Sequence, residues 1–171
     1  GAAAVILEKT NDKGGVLSHE SATHALEESN YIFFGESFNT NDSSKNKYIK
    51  MLGRKIYEFA LINVPSAMKV CLDKSKVDIT KIKKILIHQA NEKMDEAIIK
   101  RFYKLYGMEM PENIMPMSID KLGNSSVATV PTLYDLILKG NLGDHSIHPG
   151  DIIIFASVGA GMNINAMIYQ V

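Results

Sequence analysis

The chain has 171 residues, 46% of them hydrophobic and 22% charged, the composition of one soluble globular domain with a core that needs no disulfide or metal staple. Nineteen basic residues balance nineteen acidic ones, and a formal net charge of zero argues against a nucleic-acid binder. A single cysteine excludes an internal disulfide framework and fits a cytoplasmic protein, and no apolar run approaches the ~20 residues a membrane span needs.

Residues 2–8 (Ala-Ala-Ala-Val-Ile-Leu-Glu) read as a buried strand that begins at the first residue. Such a strand needs neighbours on both sides, so the chain is expected to be a piece of a larger protein. Residues 16–25 read as a second strand, after the turn-forming run Asn11-Asp12-Lys13-Gly14-Gly15. Residues 27–47 lack a clear period and are expected to form an excursion, a loop with a short strand around Tyr31-Ile32-Phe33-Phe34.

From Leu52 the period becomes helical, with Leu52, Ile56, Phe59, Ala60, Asn63, Ala67 and Val70/Cys71 on one face. Pro65 lies inside this helix and predicts a kink, because it lacks an amide donor and crowds the carbonyl four residues back. Residues 82–87 form a strand, and 91–106 a helix whose inner stripe is Met94, Ala97/Ile98, Arg101/Phe102 and Leu105. Residues 114–118 predict a short strand. Residues 125–139 predict a helix apolar all round, hence buried, and 152–158 and 162–171 two closing strands joined by Gly159-Ala160-Gly161. Strands alternating with helices imply an α/β fold with a mixed, mostly parallel sheet.

Two residues carry candidate chemistry. His88 directly follows the strand Ile85-Leu86-Ile87 and precedes a helix, so it should lie beyond the carboxyl end of a strand, where functional groups gather in open α/β sheets. A histidine that merely caps a strand would sit in the same place. Asn124, in Leu122-Gly123-Asn124-Ser125-Ser126, stands just before the apolar helix, where an ordinary N-cap would also be asparagine. Together a neutral imidazole and a carboxamide supply two N–H donors able to converge on one oxygen, as in an oxyanion hole for a developing enolate.

These motifs resemble those of the β-ketoacyl-acyl-carrier-protein synthase III family of condensing enzymes. Ile87-His88-Gln89-Ala90-Asn91 is similar to the family's histidine motif, Gly123-Asn124-Ser125-Ser126 with Val130-Pro131 to its asparagine motif, and Ser157-Val158-Gly159-Ala160-Gly161 to its glycine turn. Met51-Leu52-Gly53 before a long helix and the opening Gly1-Ala2-Ala3-Ala4-Val5-Ile6-Leu7 also fit. The resemblance implies a duplicated thiolase-like fold, of which this chain holds the C-terminal half. Residues 1–25 would be the last strands of the N-terminal half, 26–47 an excursion and 48–171 the C-terminal half, with 1–171 one compact unit. The catalytic cysteine would belong to the missing N-terminal half, so this piece is expected to be inactive alone.

The resemblance further implies His88 and Asn124 as catalytic residues, and Asn91, Gly53 and Gly161 as substrate contacts. No cofactor is implied; acyl-coenzyme A and phosphopantetheine thioesters are substrates. Lys93, Lys100 and Arg101 match positions where the family is basic and would dock an acidic acyl carrier protein, although a plain solvated helix face has the same pattern. Glu58 stands where the family often has a basic residue, and Val158 where it has an aromatic one. A homodimer is implied for the intact enzyme. Two other readings stay open: acyl transfer to an alcohol or amine, or hydrolysis, in the same pocket; and a thiolase-like module without chemistry.

Cys71 lies on the inward stripe of the first helix and is expected in the core, not at the site. Gly159-Ala160-Gly161 lacks the helix and later acidic residue of a dinucleotide site. His145 and His148 read as surface histidines without metal-ligand companions, His19 and His24 have no evident partners, and the nine methionines read as core fillers.

Overall fold

A computed structural model describes every residue except Thr10 and Asp12. The predicted turn over residues 11–15 therefore lies partly outside the described residues. Four strands form one sheet: β1 (Gly15–Thr23), β4 (Ile82–Ile87), β5 (Ile152–Gly159) and β6 (Asn163–Gln170), in the order β1-β6-β5-β4. β4 and β5 are parallel, while β6 is antiparallel to both its neighbours, so three of the four strands share one direction. β2 (Ile32–Glu36) and β3 (Lys47–Met51) make a separate hairpin.

The helices cover both faces of the four-stranded sheet. On one lie α1 (Gly53–Ser75) and α2 (Glu92–Lys104), whose Phe59, Val64, Met68, Leu72, Ile98 and Phe102 pack with alternate residues of the strands: Ile85 and Ile87, Ile154 and Ala156, Ile164 and Ile168. On the other lies α4 (Thr129–Leu138), where Leu133 and Ile137 meet Leu86 and Ile153. The period of two along each strand thus sends successive side chains into two different cores. A register shift between Ile82 and Lys84 lets Ile82 and Ile85 join the same core.

Several expectations need correction. Residues 2–8 form no strand, and Val5, Ile6 and Leu7 are 72%, 91% and 89% exposed; none of the described strands pairs with them, and an unpaired strand has no ladder to hold it. The short strand expected in the excursion is Ile32–Glu36, and it pairs with a strand that was not expected, Lys47–Met51, which lies at and beyond the excursion's end. Residues 114–118 form no strand. The Ile114 carbonyl accepts from Ile85 N–H at 2.9 Å, but Pro116 has no amide to continue a ladder.

α1 runs through Pro65 without interruption. Beside it, Ser66 Oγ donates to the Ile62 carbonyl (2.8 Å) and Asn63 Nδ2 to the Phe59 carbonyl (3.0 Å). The helix expected at 125–139 begins as a 3-10 turn at Ser126–Ala128 and becomes α4 at Thr129, with Pro131 in its first turn, where a missing amide costs nothing. α4 buries one face only, leaving Val127 before it and Leu138 at its end exposed. A short helix, α3 (Ile119–Leu122), had no signal in the sequence period. His145 is half-buried rather than on the surface: its Nδ1 is enclosed without a partner, and burial and nearby Lys84 push its pKa below the ordinary value.

Candidate functional site

His88 occupies the last position before the chain leaves the sheet. Its backbone N–H donates to the Ala156 carbonyl of β5 at 2.9 Å, so the parallel ladder extends one residue past β4 and fixes the base of the side chain. The imidazole is half-buried, and desolvation holds its pKa below the usual value, opposed by the Ser126 carbonyl. At neutral pH the ring is therefore uncharged and can donate one N–H.

Gln89, the next residue, is fully buried. Its Nε2 donates to the Pro116 carbonyl (2.8 Å), and its Oε1 accepts from Ser118 N–H (2.9 Å) and Ser118 Oγ (3.3 Å). This side chain ties the His88 turn to the loop that enters α3. The sequence held a signal for it, a polar residue between a buried strand and a helix, yet periodicity does not price a polar group whose partners lie 27 and 29 residues away.

Asn124 lies after α3, where Gly123 at φ 63° turns the chain. Its Oδ1 accepts from Ser126 N–H at 2.8 Å. The carboxamide oxygen is thus engaged and the NH2 end remains as donor. The side chain is exposed and does not line the cavity described next. What joins the two loops is Ser126: its N–H holds Asn124, and its carbonyl faces the His88 imidazole.

An open cavity of about 490 Å³ lies against the sheet, with His88, Ser126, Phe155 and Val158 on one side and His19, Asn163 and Asn165 on the other. Its floor is the part of the sheet that α4 leaves uncovered. There Ser21 Oγ donates to Asn165 Oδ1 (2.9 Å) and Thr23 Oγ1 to Asn163 Oδ1 (2.5 Å), linking β1 to β6 by side chains as well as backbone. Sequence reasoning missed His19, Asn163 and Asn165, because only the β1–β6 pairing brings positions some 140 residues apart to one wall.

The other predicted residues fall outside this cavity. Asn91 is the N-cap of α2, its Oδ1 accepting from Met94 N–H at 3.1 Å. Gly53 is the first residue of α1, with open space where a Cβ would stand. Gly161 adopts φ 74°, the left-handed region that favours glycine, and a Cβ there would lie 3.0 Å from Asn163 Nδ2, the end of a side chain that could shift. Lys93, Lys100 and Arg101 are exposed on α2, and Lys100 pairs with Glu96 at 3.1 Å. Among the described residues there is no group of three metal-ligating side chains, and no helix is long and apolar enough to cross a membrane.

Cys71 is fully buried in α1, its Sγ 3.4 Å from the Ala166 carbonyl, with Ser18 Oγ donating to its own carbonyl at 2.7 Å. Burial raises the thiol's pKa. Cys71 is expected to resist a disulfide exchange reagent in the native state and to react only as denaturant opens the core. Stoichiometric labelling under native conditions would show the assignment to be wrong.

Residues 72–171 match the model of the 3-oxoacyl-[acyl-carrier-protein] synthase III C-terminal domain. The chain belongs to this family. It is 29% identical to the β-ketoacyl-[acyl-carrier-protein] synthase III of Prochlorococcus marinus, covering 99% of this chain and 49% of that protein. Against the enzyme of the same name from Clostridium botulinum strain Okra it is 30% identical over 98% of this chain and 49% of the relative. The chain thus spans about half the length of these curated relatives. The fold agrees: the synthase III of Thermus thermophilus superposes with a TM-score of 0.76 at 22% identity, over 95% of this chain and 48% of that one. The priming β-ketosynthase of the R1128 polyketide pathway gives 0.73 at 16% identity, over 95% and 46%. The architecture is the thiolase-like α/β fold, and family membership sets the sheet, α4 and the two loops around Ser126 in the context of a condensing enzyme.

Proposed function

We propose that the intact protein containing this chain is a 3-oxoacyl-acyl-carrier-protein synthase III, which joins an acyl-coenzyme A starter to malonyl-carrier protein. The observation that carries this reading is the uncharged, half-buried His88 at the carboxyl end of β4, linked through Ser126 to a carboxamide whose NH2 end is unengaged. A cysteine thiolate in the N-terminal half takes the acyl group and releases coenzyme A. Malonyl-carrier protein then binds with its thioester carbonyl directed to His88 and Asn124. As the carboxylate leaves as carbon dioxide, the electron pair moves into the enolate, and both donors stabilise the growing oxygen charge. The enolate carbon attacks the acyl-cysteine, the thiolate departs, and the product is a 3-oxoacyl thioester on the carrier. No step needs a cofactor.

The same reading makes the missing half a partner for the cavity face, a homodimer the working state and the cytoplasm its place. An acidic carrier protein would meet the exposed side of α2. Because Lys100 is paired with Glu96 while Lys93 and Arg101 are exposed, charge reversal at Lys93 or Arg101 should raise KM for malonyl-carrier protein by about 3–10-fold at low salt. The rate with malonyl-coenzyme A should not change, and an equal effect on both donors would remove the docking role.

The deciding experiment is the intact mass of the full protein after exposure to acetyl- and longer acyl-coenzyme A. A thioester adduct on a cysteine outside this chain supports the condensing enzyme, and its size reports the starter. Release of free acid, ester or amide without carbon dioxide would instead identify an acyltransferase or thioesterase. No adduct with any donor would leave a non-catalytic thiolase-like module.

A further inference from the structure

The floor of the cavity carries a row of polar residues that the mechanism does not use. Ser21 stands opposite Asn165 in the β1–β6 ladder, and Asn165 opposite Ser157 in the β5–β6 ladder. His88 N–H donates to the Ala156 carbonyl, which in a parallel pair sets His88 beside Ser157. Ser21, Asn165, Ser157 and His88 therefore form one line across the sheet, and all four line the cavity. Neighbouring strands lie about 4.8 Å apart, so Ser157 and Asn165 stand about 5 Å and about 10 Å from His88.

Hydrogen bonding orients this row. Asn165 Oδ1 accepts from Ser21 Oγ at 2.9 Å, so the carbonyl end of the amide is engaged and the NH2 end is the part left for the cavity. Among the described residues no hydrogen bond engages that NH2 or the Ser157 hydroxyl. Asn163, one row nearer the β5–β6 turn, differs: its Oδ1 accepts from Thr23 Oγ1 and its Nδ2 donates to the Ala160 carbonyl at 3.1 Å, so both ends serve the turn. On the other side the row His19, Met167, Phe155 is apolar except at its edge. A largely apolar cavity with a few fixed polar groups is the usual form of a site for a small organic ligand. Among the described residues no lysine or arginine lines it, and Glu20, which does, is paired with Lys74. An anionic substituent would meet no permanent cation there, whereas a hydroxyl would meet both a donor and an acceptor.

We propose that Asn165 and Ser157 form a subsite for a hydroxyl group on the acyl chain, which makes them specificity-determining residues that favour hydroxyacyl starters over plain alkyl ones. The Asn165 NH2 donates to the hydroxyl oxygen, and the hydroxyl donates in turn to Ser157 Oγ. That the ligand is an acyl starter rests on the condensing-enzyme reading; the pairing of these two side chains with a hydroxyl does not. Asn165 is exposed and Ser157 half-buried, so water satisfies them when no ligand does. The selectivity is therefore about tenfold, the worth of one net hydrogen bond, and not the roughly 10⁴-fold that orphaned buried groups impose.

The test gives the intact protein equal amounts of hexanoyl-coenzyme A and one of its hydroxylated forms, 3-hydroxy to 6-hydroxy in turn, and reads the acyl adducts by mass. At one position or more the hydroxyacyl adduct should form about tenfold faster, and in Asn165→Leu that ratio should fall to about one. A ratio near one at every position in the wild type overturns the proposal, whether or not the variant folds. Preference for the carboxylate-ended adipoyl chain over all of these also overturns it, because the site would then hold an anion. The same ligands are added to protein with 15N in its asparagine side chains, the Asn165 NH2 pair being assigned by its loss in Asn165→Asp. A downfield shift of that pair with a hydroxyacyl chain, which hexanoyl-coenzyme A does not give, supports the subsite. That shift without any adduct would keep the subsite and discard the condensing enzyme. Adducts with neither preference nor shift would do the reverse, and no adduct with no shift would discard both.

Discussion

Replacing His88 by alanine is expected to lower malonyl-thioester decarboxylation by the full protein about 10²–10³-fold, the cost of one oxyanion donor. Asn124→Ala should fall in the same range. Both effects belong in kcat, because the donors gain their strength only as charge reaches the thioester oxygen, whereas ground-state binding of the carbonyl is weak. The double variant should lose less than the product of the two, since the donors act on one atom. Acyl transfer from coenzyme A to the cysteine precedes decarboxylation and should survive in the Asn124 variant. Full decarboxylation by either variant would remove the proposed chemistry.

The pH dependence has a definite sign. Burial holds the His88 pKa below the ordinary imidazole value, so the uncharged ring persists to lower pH than free histidine. Decarboxylation should therefore decline only as the medium falls below about pH 6.5, where a protonated ring would have to be housed in a half-buried site. The same ring, uncharged when folded but more readily protonated when unfolded, contributes stability above its unfolded pKa that is lost on acidification. Removing the imidazole should flatten that part of the acid limb, which a urea titration at a series of pH values would measure.

Much of the architecture was legible because it follows from period and punctuation. Residues 82–87 and 152–158 read as strands, α2 as an amphipathic helix, and the tight β5–β6 connection from its glycines, and the structure has all four, with β5 one residue longer. Failures came where an element depends on a partner far away in sequence. Residues 2–8 have strand composition but no paired strand among those described, and the hairpin strand Lys47–Met51 was hidden by its continuity with α1. α4 has a nearly all-apolar sequence, but only one of its faces is covered. Such a helix reports what its surroundings are meant to be, not what this chain supplies. The site divides in the same way. His88 could be placed from strand end and helix start, while the Ser126 link between His88 and Asn124, and the His19–Asn163–Asn165 wall, exist only through tertiary pairing.

Gln89 makes that dependence measurable. Gln89→Leu keeps the volume near that of the amide but leaves the Pro116 carbonyl and the Ser118 N–H unpaired within the core, Ser118 itself being buried. Each orphaned group costs about 1–3 kcal/mol, so the variant should lose about 2–6 kcal/mol of unfolding free energy in urea. Gln89→Glu separates the roles of the two ends of the side chain. Its carboxylate could still accept from Ser118, but it would face the Pro116 carbonyl with like charge and could not donate to it. At neutral pH it should be at least as damaging as leucine. On acidification the protonated carboxyl regains one donor, and the glutamate variant should recover toward the wild type while leucine does not. Because Gln89 directly follows His88, the residual fold of either variant should show a lower kcat for decarboxylation with KM little changed. Equal stabilities for wild type and both variants would mean that the Pro116–Ser118 loop is held by something other than this amide.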